Sequence, residues 1–285
     1  MSKLINKYLS IADLKLIKEL KLAIKNDSLS ITCIGLYNHG KSTLLNCLVK
    51  DFENKTFATA DVRKTATNKT IQFGTFTYID TPGLNANKHD DKRVMDAIKK
   101  SDINLFVHTV TTGELVAKEI EFLNNIKKYW KNPQEFISRT IFVISRIDKA
   151  NNKQDIDGTI KKIAQQIEEI FKLKPTIIPI SSTRYIKGRL ENKPLMTKKS
   201  NIELLENSLK NLSDKLANSI KEDRKNRLKN KYDDLIKQLN SKVQTNKLEI
   251  AKHRQAQKKY FSNLDSDIKQ VEDTLTNMYA ELERN

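Results

Sequence analysis

The chain has 285 residues, of which 38% are hydrophobic and 31% charged, with a formal net charge of +17. An average globular protein is ~45–50% apolar and ~25% charged, so one compact core for the whole chain is excluded and an elongated, helix-rich molecule is favoured. No uncharged apolar run is long enough to span a bilayer, and the Lys- and Asp-interrupted N-terminus does not read as a secretory signal.

Two cysteines, Cys33 and Cys47, are too few for a disulfide framework or a four-ligand zinc site. Both read as small core residues of a cytoplasmic protein. The positive charge favours anionic partners: nucleotide, nucleic acid or anionic lipid headgroups. The plain alternative is lysine coating exposed helices.

In chain order, Ile11, Leu14, Ile17 and Leu20 form an apolar stripe, so residues 1–27 are read as an N-terminal helix. Short apolar runs predict strands at 30–36, 69–74, 75–80, 103–110, 140–145 and 176–181. Amphipathic stretches predict helices at 41–49, 88–100, 114–129 and 154–172. This alternation implies an α/β domain over residues 28–185, with a mostly parallel sheet and helices on both faces. The adjacent runs 69–74 and 75–80 read as a hairpin that adds one antiparallel edge strand.

All glycines and prolines fall before Leu195. Residues 195–285 therefore read as nearly uninterrupted helix, a bundle or coiled-coil stalk. Ile202, Leu205, Leu209, Leu212, Leu216 and Ile220 form one seam. Phe261, Leu264, Ile268, Val271, Leu275, Met278 and Leu282 form a second, at 3–4 spacing. The second seam is read as intramolecular packing with the N-terminal helix. Between the seams, residues 221–259 carry 13 basic and 5 acidic residues, net +8.

Gly35, Gly40, Lys41 and Ser42 fit G-x-x-x-x-G-K-S/T, between an apolar strand and a helix opened by Thr43. Such a loop wraps an anion with backbone N–H groups and the helix N-terminus. Gly35, Asn38, His39, Gly40, Lys41, Ser42 and Thr43 are taken as the phosphate-contacting set. Lys41 is assigned to the β and γ phosphates and Ser42 to Mg²⁺. Asp80-Thr-Pro-Gly83 follows a strand, placing a carboxylate for Mg²⁺ and the Gly83 N–H for the γ phosphate. Ser145-Arg-Ile-Asp148 is a degenerate guanine reader. Asp148 would accept from N1–H and the 2-amino group, which adenine lacks, while the Arg146 side chain covers the base. Ser145, shorter than the usual Asn, is expected to tie the loop less well. Ser181 and Ser182 hold the usual place of a backbone contact to guanine O6. A second Mg²⁺ ligand is expected from the Thr-rich segment 56–70, with Thr65 preferred and Thr67 second.

In this order the elements resemble a GTPase of the translation-factor-related class. Residues 35–48 are similar to the "G-x-F-N-x-G-K-S-T-L-I/L-N-A-L" loop of bacterial dynamin-like proteins. Thr112-Gly-Glu-Leu followed by Glu119-Ile-Glu-Phe-Leu resembles their "G-E-L…E-x-E-F-L" helix. Residues 57–66 keep the register of their "L-P…P-x-T-A" loop, with Ala58 and Arg63 where Pro is usual. The resemblance implies a GTP phosphohydrolase binding GTP/GDP and Mg²⁺, acting as a homodimer or hetero-oligomer through the GTPase face, at an anionic membrane surface. It also implies a role for Asn38 in organising hydrolysis, with His39 a candidate for the same. Leu84 follows Gly83, in keeping with a family that places no catalytic Gln there. Two other functions stay open: a nucleic-acid- or ribosome-associated GTPase, and a nucleotide-gated coiled-coil scaffold with little turnover. Only Tyr232 and Tyr260 lie in or beside the basic stretch, which disfavours base stacking and puts nucleic acid behind the membrane as a partner.

Overall fold

The computed structural model describes residues 8–57, 69–84, 88–130, 132–217 and 219–282. In chain order the elements are α1 (Ile11–Lys25), β1 (Leu29–Ile34), α2 (Lys41–Leu48), β2 (Lys69–Phe73), β3 (Phe76–Asp80), α3 (Lys88–Lys100) and β4 (Ile103–Thr109). There follow α4 (Ala117–Tyr129), α5 (Pro133–Ser138), β5 (Thr140–Ser145), α6 (Lys153–Phe171), β6 (Thr176–Pro179), α7 (Ser182–Leu190), α8 (Pro194–Lys199), α9 (Ile202–Leu216) and α10 (Ile220–Leu282). The chain divides into two compact units, residues 18–227 and residues 1–17 with 228–285.

In the larger unit all six expected strands form one sheet, ordered β2-β3-β1-β4-β5-β6. Only the β2–β3 pair is antiparallel. β4 and β5 are buried along their whole length, as their unbroken apolar runs require of central parallel strands. Their side chains alternate between two cores. Leu105 and Val107 join Leu44 and Leu45 of α2 and Tyr185 of α7 on one face. Phe106, Phe142 and Ile144 join Ile98 of α3, Leu123 of α4 and Ile167 of α6 on the other. Cys33 and Cys47 are free thiols in the first core, where burial pushes both up, Cys47 to about 12.

Ile202, Leu205, Leu209 and Ile220 also belong to that first core, so the earlier helical seam packs against the sheet. At the edge where β1 and β4 begin, buried Asp102 accepts from the Ser30 backbone N–H and hydroxyl, both at 3.0 Å. It also accepts from Arg224 at 2.7 Å and from Arg227. Arg224 donates further to the carbonyls of Ala23, Asn26 and Ser28, closing the junction of α1, the sheet and α10.

In the smaller unit, Ser10 caps α1 through the Asp13 N–H at 3.1 Å, and Lys231 pairs with Asp13 at 2.5 Å. Here one expectation is corrected. Phe261, Leu264, Ile268, Val271, Leu275 and Met278 are 41–60% exposed. Among the described residues the second seam is therefore not covered; it runs along the surface of the continuous helix α10, which also contains the basic stretch.

Candidate active site

The site lies at the carboxyl ends of β1, β3, β4 and β5, where the connection after β1 runs to one side of the sheet, toward β2 and β3, and the connection after β3 to the other, toward β4. The loop after β1 passes directly over β4. A Cβ on Gly35 would stand 2.2 Å from the Val107 carbonyl oxygen, so only glycine fits. Asn38 at φ +61° and Gly40 at φ +88° turn the loop through left-handed geometry into α2. No side chain caps that helix, so its first N–H groups stay free to meet an anion.

Lys41 is buried, and its Nζ donates to the Leu36 carbonyl at 2.9 Å. Burial pulls its ammonium below the usual lysine range, with Cys33 and Asp80 opposing. Ser42 donates to Asp80 Oδ2 at 2.7 Å. Asp80 is buried too, and its Oδ1 has no hydrogen-bond partner among the described residues. Burial pushes its carboxyl above the usual range, while Ser42 and the Lys41 charge offset part of the shift. A hydroxyl beside a carboxylate with one open oxygen is a hard-oxygen donor set, which fits Mg²⁺. Gly83 lies against the loop: a Cβ there would come within 2.8 Å of the Tyr37 backbone. The Leu84 N–H binds the Gly35 carbonyl at 3.1 Å, closing this wall.

The loop is fixed from the other side by the degenerate guanine motif. Ser145 donates to the His39 carbonyl at 2.7 Å, so the short side chain does tie the loop. Arg146, at φ +61°, donates to the Asn38 carbonyl at 2.5 Å. Asp148 accepts from the Ser181 hydroxyl, which also caps α7 through the Arg184 N–H at 3.1 Å. The Ser181 N–H is already bound to the Ser200 carbonyl at 2.9 Å. Of the two serines taken for the O6 contact, Ser181 therefore has its N–H occupied and its hydroxyl on Asp148.

The geometry thus brings together Gly35, Asn38, Gly40, Lys41, Ser42, Thr43, Asp80 and Gly83 at one end. Arg146, Asp148, Ser181 and Ser182 gather at the other. His39 belongs to the loop by its backbone, but its imidazole turns inward, with Nδ1 3.4 Å from the Val107 carbonyl. Thr65 and Thr67 lie outside the described residues. Two buried partners of the loop, His108 and Glu119, escaped the sequence reading. Glu119 stood in a noted motif, but nothing local tied it to residue 39.

Residues 30–146 match the family model described as 50S ribosome-binding GTPase. An uncharacterised protein of Acinetobacter baylyi is 30% identical over 249 residues, spanning 86% of this chain and 56% of that protein. GTPase Era of Buchnera aphidicola is 34% identical over 186 residues, spanning 62% of this chain and 54% of Era. The chain spans about half the length of these curated relatives. A solved oligomerised bacterial dynamin pair, described as sensing and tethering membranes, superposes with a TM-score of 0.58 at 15% identity, over 97% of this chain and 52% of that one. At that identity the likeness is one of fold. Strand order, the loop after β1 and the family match agree: the chain carries an α/β P-loop GTPase domain.

Proposed function

We propose that this chain binds GTP with Mg²⁺ and hydrolyses it, coupling the nucleotide state to its long helix in the manner of a dynamin-like GTPase. The observation that carries the reading is the buried pair of Lys41 and Asp80. Among the described residues the Lys41 ammonium hydrogen-bonds one carbonyl and Asp80 keeps an open oxygen, so both can take a charged partner.

Water attacks the γ phosphate, and charge develops on the phosphate oxygens. Lys41 and the free N–H groups at the start of α2 stabilise that charge, and the Gly83 N–H meets the γ phosphate. Ser42 and Asp80, with Thr65 or Thr67 as a further ligand, would hold Mg²⁺, which neutralises phosphate charge when bound. Asp148, steadied by Ser181, accepts from the guanine N1–H and 2-amino group, and adenine offers neither. Asn38, on the open face of the loop, organises the attack when two GTPase faces meet.

Phosphate release from GTP and ATP, measured with Mg²⁺ over a range of protein concentrations, tests this. GTP-specific turnover per molecule that rises with concentration and vanishes in Lys41→Ala supports the reading. Turnover flat per molecule removes dimer activation, and equal use of ATP removes Asp148 as the base reader. Tight GTP binding without release points to a nucleotide-gated scaffold.

A second reading has its own support. The ribosome-binding family description, the Era relative and the +17 charge favour a ribosome- or RNA-associated GTPase. No helix among the described residues is long and apolar enough to cross a membrane. RNA binding that falls steeply with salt, run beside flotation with anionic vesicles, separates the two.

A further inference from the structure

His39, His108 and Glu119 meet beneath the phosphate loop, 6%, 1% and 0% exposed. They come from three elements: the loop itself, the end of β4 and the first turn of α4. Both Glu119 oxygens accept from His108 Nδ1, at 3.0 and 2.9 Å. Its Oε2 also accepts the Val116 N–H at 3.1 Å, which caps α4. Its Oε1 lies 3.5 Å from His39 Nδ1, and the two imidazoles pack edge to face with centroids 5.3 Å apart.

The far nitrogen of His108 ties the cluster to the turn after β4. Its Nε2 lies 3.0 Å from the Gly113 carbonyl and 3.1 Å from the Thr112 hydroxyl. That hydroxyl donates to the Thr109 carbonyl, so it can only accept from the ring. Both nitrogens of His108 thus face oxygen atoms, Nδ1 the Glu119 carboxylate and Nε2 the Gly113 carbonyl and the Thr112 hydroxyl. Burial alone would push Glu119 up, but hydrogen bonds from His108 and His39 hold it at about 2. The three donor atoms lie within 4.8 Å of one another, close enough for a metal ion. A metal would have to displace the protons that these bonds use.

We propose that Glu119 and His108 are positioning residues for the phosphate loop. They hold the His39 side chain, and through it the loop between Asn38 and Gly40, so that the turn at Thr112 and Gly113 and the start of α4 set the loop's geometry. The consequence for nucleotide affinity rests on the GTPase reading above; the mechanical link does not. Gly113 supplies a handle outside the core. It sits at φ +75° with open space around its Cβ position, so Gly113→Ala strains only the turn.

The test compares wild type, Glu119→Gln, His39→Gln, the double variant and Gly113→Ala, each first checked for a native circular dichroism spectrum. Glu119→Gln keeps an oxygen to cap α4 but loses the charge. Hydrogen exchange of nucleotide-free protein is read on the peptide covering residues 35–41. It should speed up about tenfold in Glu119→Gln, equivalent to about 1.4 kcal/mol, while residues 120–126 keep wild-type exchange. GDP affinity, read with a fluorescent GDP, should weaken by a similar factor in each single variant and no further in the double, because both cut one link. Gly113→Ala should weaken it in the same direction, with no added effect on Glu119→Gln. Wild-type loop exchange in folded Glu119→Gln, additive losses in the double variant, or one equivalent of zinc held by wild type and lost in Glu119→Gln would each overturn the proposal. Failure of wild type to bind GDP would remove the nucleotide reading instead, and loop exchange would still decide the link.

Discussion

Asp102 and Asp80 are carboxylates buried at opposite edges of one sheet, 1% and 2% exposed. Asp102 is saturated: a backbone N–H, a hydroxyl and two guanidinium groups surround it. Burial would push its carboxyl up, but Arg224 and Arg227 hold it below the usual range. Asp80 has one hydroxyl donor and one open oxygen, and burial wins, raising it. The same residue type at the same depth thus serves two ends. A completed network fixes the junction of α1, the sheet and α10. An incomplete one keeps coordination sites for a ligand, at a cost in stability that a cation relieves.

The largest effect expected from this contrast is at the completed end. Arg224→Ala removes one of the two guanidinium partners of buried Asp102 and frees three backbone carbonyls, so it should cost about 3–5 kcal/mol in urea unfolding. GDP affinity of the protein that remains folded should be unchanged. A loss below about 1 kcal/mol would erase the distinction, because the network would then not be what holds the junction. At the incomplete end, Asp80→Asn should lower Mg²⁺-dependent GTP turnover by on the order of 100-fold, about 2.7 kcal/mol. Its ligand-free melting temperature should hold or rise, since the swap removes a charge that burial penalises. A clear drop would make Asp80 a structural residue like Asp102.

The two ends were unequally legible. The loop 35–42, the Asp80 turn and the six strands are local patterns, and local patterns survive in sequence. Asp102 and Arg224 are 122 positions apart, and His39 and Glu119 are 80 apart, so no spacing rule joins them. α5, only six residues long, and α7 were missed, whereas α8 falls almost wholly inside the stretch 195–285 read as helix. α5 and α7 both carry a start signal, Asn132 accepting from the Gln134 N–H at 3.2 Å ahead of Pro133, and Ser181 accepting from the Arg184 N–H at 3.1 Å. The seam from Phe261 to Met278 shows the opposite limit. Apolar periodicity states that a helix face wants cover, but not what covers it, and among the described residues nothing does.

A smaller effect tests whether the base-reading end is organised like Asp102 or like Asp80. Ser181 donates to Asp148 and caps α7. Ser181→Ala should cost about 1 kcal/mol, the usual worth of such a cap. It should also narrow the preference for GTP over ATP, because Asp148 loses the group that orients it. Unchanged preference would mean that Asp148 is held by the turn at Ile147 alone.

The finest test is the pH dependence of the ligand-free protein, where the two carboxylates act with opposite sign. Asp102 is lowered in the folded state, as is Glu119 at about 2. Their stabilisation is fully present above the unfolded values, about 3.9 and 4.3, and is lost as pH falls through the folded ones. Asp80 is raised, so its contribution is fully present below about 3.9 and is lost as pH rises through its higher folded value. Wild type therefore carries a penalty near neutrality that Asp80→Asn does not. The stability gain of the variant should be greatest near pH 7 and shrink as pH falls toward 4. Saturating Mg²⁺ and GDP should reverse its sign, because the ion then favours the ionised carboxylate and binds only the folded wild type tightly. A gain that is constant with pH would mean that Asp80 bears no buried charge, and the contrast with Asp102 would fall.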